Sequence, residues 1–227
     1  MVESKPLQLP RPSRSRRTQA ERTAKTRERI LRATVESILE VGLARTTAKE
    51  IGLRAGVTWG AVQHHFGSKN GILAAVLEES FNRFASGLVS SFESLGEDAP
   101  LEARIDAFVD SAWEYYRASY FRAAFEILLE DSVARRSGES IADDAAPDWQ
   151  AELLEAWTGI WFRLFPEFEP DARTTRVLQR YTISTLSGLA SIGQLGTRGE
   201  ADLEAEIAIL KRTLAAEFER AQKAGTD

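Results

Sequence analysis

The chain has 227 residues, 43% of them hydrophobic, with no cysteine and only two histidines, adjacent at His64 and His65. A chain of this length buries roughly 70% of its unfolded surface on folding, so it needs neither disulfide nor metal to hold a core. The composition also excludes a thiolate metal site, a cysteine nucleophile and an all-histidine metal centre. The net charge of −5 conceals an asymmetry, since residues 1–70 carry +8 and the remaining 157 carry −13. A basic third on an acidic body points to a polyanionic partner at one end only, although a basic disordered tail would give the same balance. No run approaches the ~18–20 continuous apolar residues of a membrane helix. The first twenty residues lack the apolar stretch of a secretory signal, and the expectation is a soluble cytoplasmic protein with no membrane partner.

Residues 1–22 are rich in Pro, Ser and Arg without hydrophobic period, and read as a flexible basic arm carrying Arg14, Arg16 and Arg17. From about Thr23 the spacing becomes helical: Leu31, Val35, Ile38 and Leu39 form one apolar stripe, and Gly42 stands where a C-terminal cap would close it. A long amphipathic stripe runs from Ile72 to Leu88, a second from Leu101 to Tyr116, and a third holds Phe121, Phe125, Leu128 and Leu129. Residues 135–148 read as a loop. Beyond it Leu153, Trp157, Ile160, Trp161 and Leu164 form a stripe that Pro166 ends, and Val177, Tyr181, Thr185, Leu189 and Ile192 form the next. The last places Leu203, Ile207, Leu210, Leu214 and Phe218 on one face. The expected fold is all-α, with about nine helices, no defensible strand and no internal repeat.

The segment 46–66 carries the most information. Thr47 with Glu50 has the spacing of a capping box, and Ile51 and Ala55 would face inward on a helix of about two turns. Gly56 supplies the positive φ of a tight reversal, Val57 can plug the corner, and Thr58 can cap a second short helix from about Trp59 to His65. Two short helices joined by a Gly-containing turn, braced by a longer helix before them, are the parts of a DNA-binding helix-turn-helix. An ordinary helical hairpin uses the same caps and turn, and the +8 charge is what favours DNA.

From about Thr26 to Leu77 the sequence resembles the TetR-type (tetracycline-repressor-like) bacterial transcription regulators. Thr46, Thr47, Ile51, Ala55, Gly56, Val57, Thr58, Gly60, His65, Phe66, Ser68 and Lys69 fall into the register of that family's signature. Gln63 stands where the family usually has a Tyr that meets a backbone phosphate. Gln can still donate a hydrogen bond but lacks the ring's packing. The resemblance implies a helix-turn-helix domain over 23–70 and a helical ligand-binding and dimerisation domain over 71–227.

The residues expected at DNA are Thr46, Thr47, Ala48, Thr58, Trp59, Gly60, Gln63, His64, His65 and Lys69. Thr47 and Thr58 offer hydroxyls and free amides at helix N-termini to phosphate oxygens. Lys69 is placed as a point charge on the backbone. Trp59, with one donor, would read by apolar contact, such as with a thymine methyl. His65 either donates to phosphate or braces the turn from within, and His64 lies nearer solvent. Gly60 lets the backbone approach the groove closely.

In the acidic body, an aromatic-lined effector pocket is expected among Trp113, Tyr116, Phe125, Trp157, Trp161 and Tyr181, suiting an apolar or aromatic ligand. A core without a cavity would use the same rings. Leu203, Ile207, Leu210 and Leu214, and a small-residue row of Ser184, Ser187, Gly188 and Ser191, suit either a dimer seam or burial within one subunit, and the family resemblance favours the seam. The partners expected are double-stranded operator DNA, a second copy of the chain and a small-molecule effector. No catalytic residue, metal ligand or cofactor is assigned. A nonspecific DNA-compacting protein is the competing reading, with a helical enzyme further behind, because no nucleophile, metal spacing or phosphate loop is found.

Overall fold

The computed structural model describes residues 18–96, 98–136, 149–167, 173–193 and 200–224. Within them the chain forms α1 (Gln19–Val41), a 3-10 turn (Leu43–Arg45), α2 (Ala48–Ala55), α3 (Trp59–Phe66), α4 (Lys69–Leu95), α5 (Leu101–Tyr116), α6 (Ser119–Arg136), α7 (Trp149–Leu164), α8 (Arg173–Gly193) and α9 (Glu200–Ala224). The nine helices and the absence of any strand among the described residues agree with the all-α expectation. Arg14, Arg16, Arg17 and most of the 135–148 loop lie outside the described residues.

The first helix begins earlier than its apolar stripe indicates. Thr18 accepts a hydrogen bond from the Glu21 amide at 3.2 Å, and the Glu21 carboxylate accepts one from the Thr18 amide at 2.9 Å. This reciprocal capping box fixes the start at Gln19, inside the stretch read as arm. At Thr47 only half of such a box forms. Its hydroxyl accepts from the Glu50 amide, while the Glu50 carboxylate turns to Arg54.

Helices α2 and α3 have eight residues each, too short to persist in water alone. They are held by a small core in which Ile51, Ala55 and Val62 pack on Ile30 and Ala33 of α1 and Ile72 of α4, with Val57 filling the corner. The opposite side of α1 presents Leu31, Val35 and Ile38 to Leu73 and Val76 of α4 and to Tyr120, Ala123 and Ile127 of α6. The continuous 27-residue α4 thus begins in the head and ends in the body, where Phe84 and Leu88 join the main core.

That main core is built by α4, α5, α6, α7, α8 and α9 around Trp161, which is 0% exposed. Phe108 meets its ring edge-on at 5.3 Å, and Phe165 and Phe218 lie at 5.1 and 5.7 Å. Such offset and edge-to-face pairs are the favourable arrangements for large rings. Arg104 ties the end of α7 to the start of α5 through the Leu164 carbonyl and the Glu167 carboxylate.

Two stripes read from the sequence take other roles. Ile207, Leu210, Leu214 and Phe218 of α9 are buried within this same core, with Leu203 packed at its edge. The leucine-rich face offered as a dimer seam is therefore consumed by the chain's own α5 and α8. On α8 the buried face is Thr175, Leu178, Gln179, Thr182, Leu186 and Leu189. Val177, Tyr181 and Ile192 instead face outward.

Gly56 closes α2 with φ 61° and ψ 40°, the left-handed conformation, and a Cβ there would lie 3.0 Å from the Arg29 guanidinium. Gly56→Val is expected to cost about 1–2 kcal/mol, measurable as a lower urea midpoint with an unchanged dependence on denaturant.

Candidate nucleic-acid interface

The turn between α2 and α3 is set by backbone groups. The Gly56 and Val57 amides return to the Leu53 and Gly52 carbonyls at 3.1 and 3.0 Å, and Thr58 then caps α3 by accepting from the Ala61 amide at 3.2 Å. A Cβ on Gly52 would sit 3.3 Å from the Val57 carbonyl and 3.7 Å from the Val62 side chain, so only a small residue lets the two helices cross this closely. Arg29 reaches from α1 to donate to the Ala55 and Gly56 carbonyls. A cation at the C-terminal end of α2 complements the helix dipole there and locks the turn to α1.

Helix α3 buries Val62 and leaves Trp59, Gly60, Gln63 and His64 exposed, with Thr58 at its head. Those four fall on one helical face. Trp59 is 43% exposed at the first helical position, a large apolar surface with one polar handle standing clear of the core. The structure thus gathers Thr58, Trp59, Gly60, Gln63 and His64 onto one solvent-facing surface.

Thr46 does not belong to that surface. It is 0% exposed, its hydroxyl donates to the Gly42 carbonyl at 3.0 Å, and it also meets the Ser37 hydroxyl at 3.0 Å. It closes the connection between α1 and α2, so its expected role at DNA is replaced by a structural one. Thr47 is exposed at the α2 cap, and Ala48 beside it is half-buried.

His65 is half-buried, its ring 6.1 Å from Phe66 and 5.7 Å from His64. Burial, followed by the nearby His64 and Arg27, pushes its pKa below the ordinary histidine value. A neutral imidazole bracing the end of α3 is the form this environment favours. His64 is exposed.

Lys69 opens α4 and is partly engaged. Its ammonium donates to the Leu43 carbonyl at 3.2 Å, leaving two of its three N–H groups for other acceptors. The carbonyl steers the side chain across the short gap between α4 and the turn that precedes α2.

Pairing removes several other cations of the head from general attraction. Arg54 is bound to Glu40 and Glu50, Arg27 to Glu78, and Arg32 to Glu36. Lys25 and Lys49 are exposed and form no ion pair among the described residues. Lys49, in the first turn of α2 beside Thr47, was not singled out from the sequence. Its only signal there is position, a cation two residues after a helix cap. If Lys69 meets a phosphate, Lys69→Ala should weaken binding to every duplex and lower the slope of log affinity against log salt by about one. Thr46→Ala should lower thermal stability and leave that slope unchanged.

Comparison with known proteins agrees with this geometry. Residues 30–76 match the profile of the "Bacterial regulatory proteins, tetR family", a span covering α2, α3 and the parts of α1 and α4 that brace them. The HTH-type transcriptional regulator BetI 2 of Chromohalobacter salexigens is 32% identical over 88 residues, 39% of this chain and 42% of that protein. The HTH-type transcriptional regulator BetI of a strain of Escherichia coli is 31% identical over 158 residues, 60% of this chain and 80% of that one. A TetR-family transcriptional regulator from Streptomyces coelicolor shares the fold with a TM-score of 0.55 at 21% identity, over 86% of this chain and 99% of that one. The chain belongs to the TetR family of bacterial regulatory proteins and is a transcriptional regulator that binds DNA through its helix-turn-helix.

Proposed function

We propose that the chain works as a homodimeric repressor in the cytoplasm, released from a pseudo-palindromic operator by a small-molecule effector. The head is the helix-turn-helix domain (23–70), and the remaining residues (71–227) bind effector and partner. The carrying observation is the exposed α3 face, Trp59, Gly60, Gln63 and His64, bordered by the Thr58 cap and by Lys69 at the start of α4. Thr58, Thr47, Gln63, Lys49 and Lys69 supply sequence-independent phosphate contacts, and Trp59 supplies base preference. Two such heads on one face of a duplex require half-sites ~34–36 Å apart or a multiple of that.

A second copy is supported by the outward apolar row that replaces the leucine seam. Val177 (55% exposed), Tyr181 and Ile192 lie along one side of α8, with the small Ser184 and Gly188 between them. Val177, Tyr181 and Thr213 also line an open groove between α8 and α9. Packing this face against its own copy would cover the apolar row and form a four-helix interface.

The six rings expected to line the effector site are dispersed. Tyr116 and Phe125 are joined through Phe121, at 4.5 and 5.7 Å, and Trp113 packs at the edge of the same core. Trp161 is enclosed by Phe108, Phe165 and Phe218, Tyr181 faces outward, and the Trp157 side chain lies outside the described residues. Tyr116, Phe125 and Trp113 are the group retained for the effector. Next to Phe121 on α6, the Arg122 Nε is buried without a hydrogen-bond partner among the described residues. A buried donor there favours an effector carrying an acceptor oxygen beside its apolar part.

Selection from random duplex DNA should enrich one sequence with two-fold symmetry, and excess random duplex should compete for it poorly. Equal competition by random duplex would point instead to nonspecific compaction. Val177→Glu, which places a charge on the outward row, should shift the protein from dimer to monomer in sedimentation and weaken operator binding with it. A dimer that persists at the same concentration would exclude this face.

A further inference from the structure

We propose that Glu126 of α6 is a positioning residue for DNA binding, holding the Leu43 turn and, through it, Lys69 in the geometry of the phosphate contact. The inference rests on the role given above to Lys69. Leu43 is the first residue of the 3-10 turn that joins α1 to α2, and both of its backbone polar groups meet charged side chains from distant helices, the carbonyl accepting the Thr46 N–H at 3.2 Å as well. The Glu126 carboxylate accepts its N–H at 2.6 Å across 83 residues of sequence, and the Lys69 ammonium donates to its carbonyl at 3.2 Å. Each charge lies at the end of the residue whose polarity it complements, so these are charge-assisted bonds rather than ordinary ones.

The surroundings leave little freedom for either group. The Leu43 side chain is 3% exposed in the core shared by α1, α4 and α6. Gly42, with φ 83°, turns the chain into Leu43, and a Cβ there would lie at ordinary contact distance, 3.6 Å, from Glu126 Oε1. Glu126 is fixed in turn by its own helix. Tyr120, Ala123 and Ile127 dock between α1 and α4, while Phe121 of the same helix belongs to the main core with Phe125 packed against it. Helix α6 therefore touches the proposed effector rings on one side and the Leu43 peptide on the other. A shift of α6 that withdraws Glu126 leaves the Leu43 amide without its acceptor and loosens the peptide whose carbonyl steers Lys69, while the Thr46 bonds to Gly42 keep the turn itself closed. Neither contact involves the exposed α3 face, so this control acts on phosphate grip rather than on base choice.

The test uses the full chain and a duplex enriched by the wild-type protein, at a temperature where circular dichroism shows each variant folded. Glu126→Ala should weaken binding about ten-fold, the size of a coupling between contacting groups. Glu126→Gln, which keeps an acceptor oxygen in place, should recover most of the affinity. The double change with Lys69→Ala should bind no more weakly than Lys69→Ala alone, because both act through one peptide. Should Glu126→Ala fail to fold, Glu126→Asp withdraws the acceptor by one methylene and keeps the charge, with the same expected loss. Wild-type affinity in the folded Ala or Asp variant, or losses that multiply in the double variant, would overturn the proposal. Failure of the wild type to enrich any sequence would overturn the DNA reading itself, a result distinct from either.

Discussion

Two helices of eight residues carry the surface that meets DNA, and helices of that length do not hold together in water. Their geometry depends on the few contacts that Ile51, Ala55 and Val62 make with Ile30, Ala33 and Ile72. Everything else in the head serves that packing. Gly52 lets the helices cross, Gly56 turns the chain, and Arg29 fastens the turn to α1 from the carbonyl side. Because α1 and α4 also form the other face of the head core, the reading helices are as rigid as the bracing behind them.

That bracing is not closed by the head's own residues. Tyr120, Ala123 and Ile127 of α6 complete it, and Arg83 of α4 lies 4.2 Å from the Tyr120 ring centroid. A helix from the body is thus part of the core beneath the DNA surface. The long α4 adds a second connection, packing Ile72, Leu73 and Val76 at one end and Phe84 and Leu88 at the other. Interiors packed at this density respond to displacement by switching between arrangements rather than by yielding locally. Two helices crossing from body to head give such a displacement a direct route.

The electrostatics follow the same economy. The head's basic excess overstates its free charge, since Arg27, Arg32 and Arg54 are engaged by carboxylates. Of what remains, Lys49 and Lys69 stand at helix starts, where backbone dipoles act beside them. The body's −13 balance discourages approach of a polyanion by the wrong face. Exposed pairs such as Arg117 with Glu114 contribute little to stability, so the fold rests on the aromatic core rather than on its many surface ions.

The sequence by itself determined the helical class, the turn chemistry of residues 46–66 and the exposed face of α3, because caps, glycines and apolar period are local properties. It also determined where the positive charge is concentrated. Only the tertiary structure decided which apolar stripe of α8 and α9 faces inward, since a periodic stripe fits a subunit core and a partner equally well. Leu210 and Leu214 went to the core, and Val177 and Ile209 were left outside. The same holds for Thr46, whose position at the motif's opening resembled a DNA contact until Ser37 and Gly42 enclosed it. It holds for Glu126, an ordinary carboxylate in sequence that meets a backbone amide 83 residues away. Spacing along the chain reports which residues share a helix face; what that face meets is fixed only when distant segments pack.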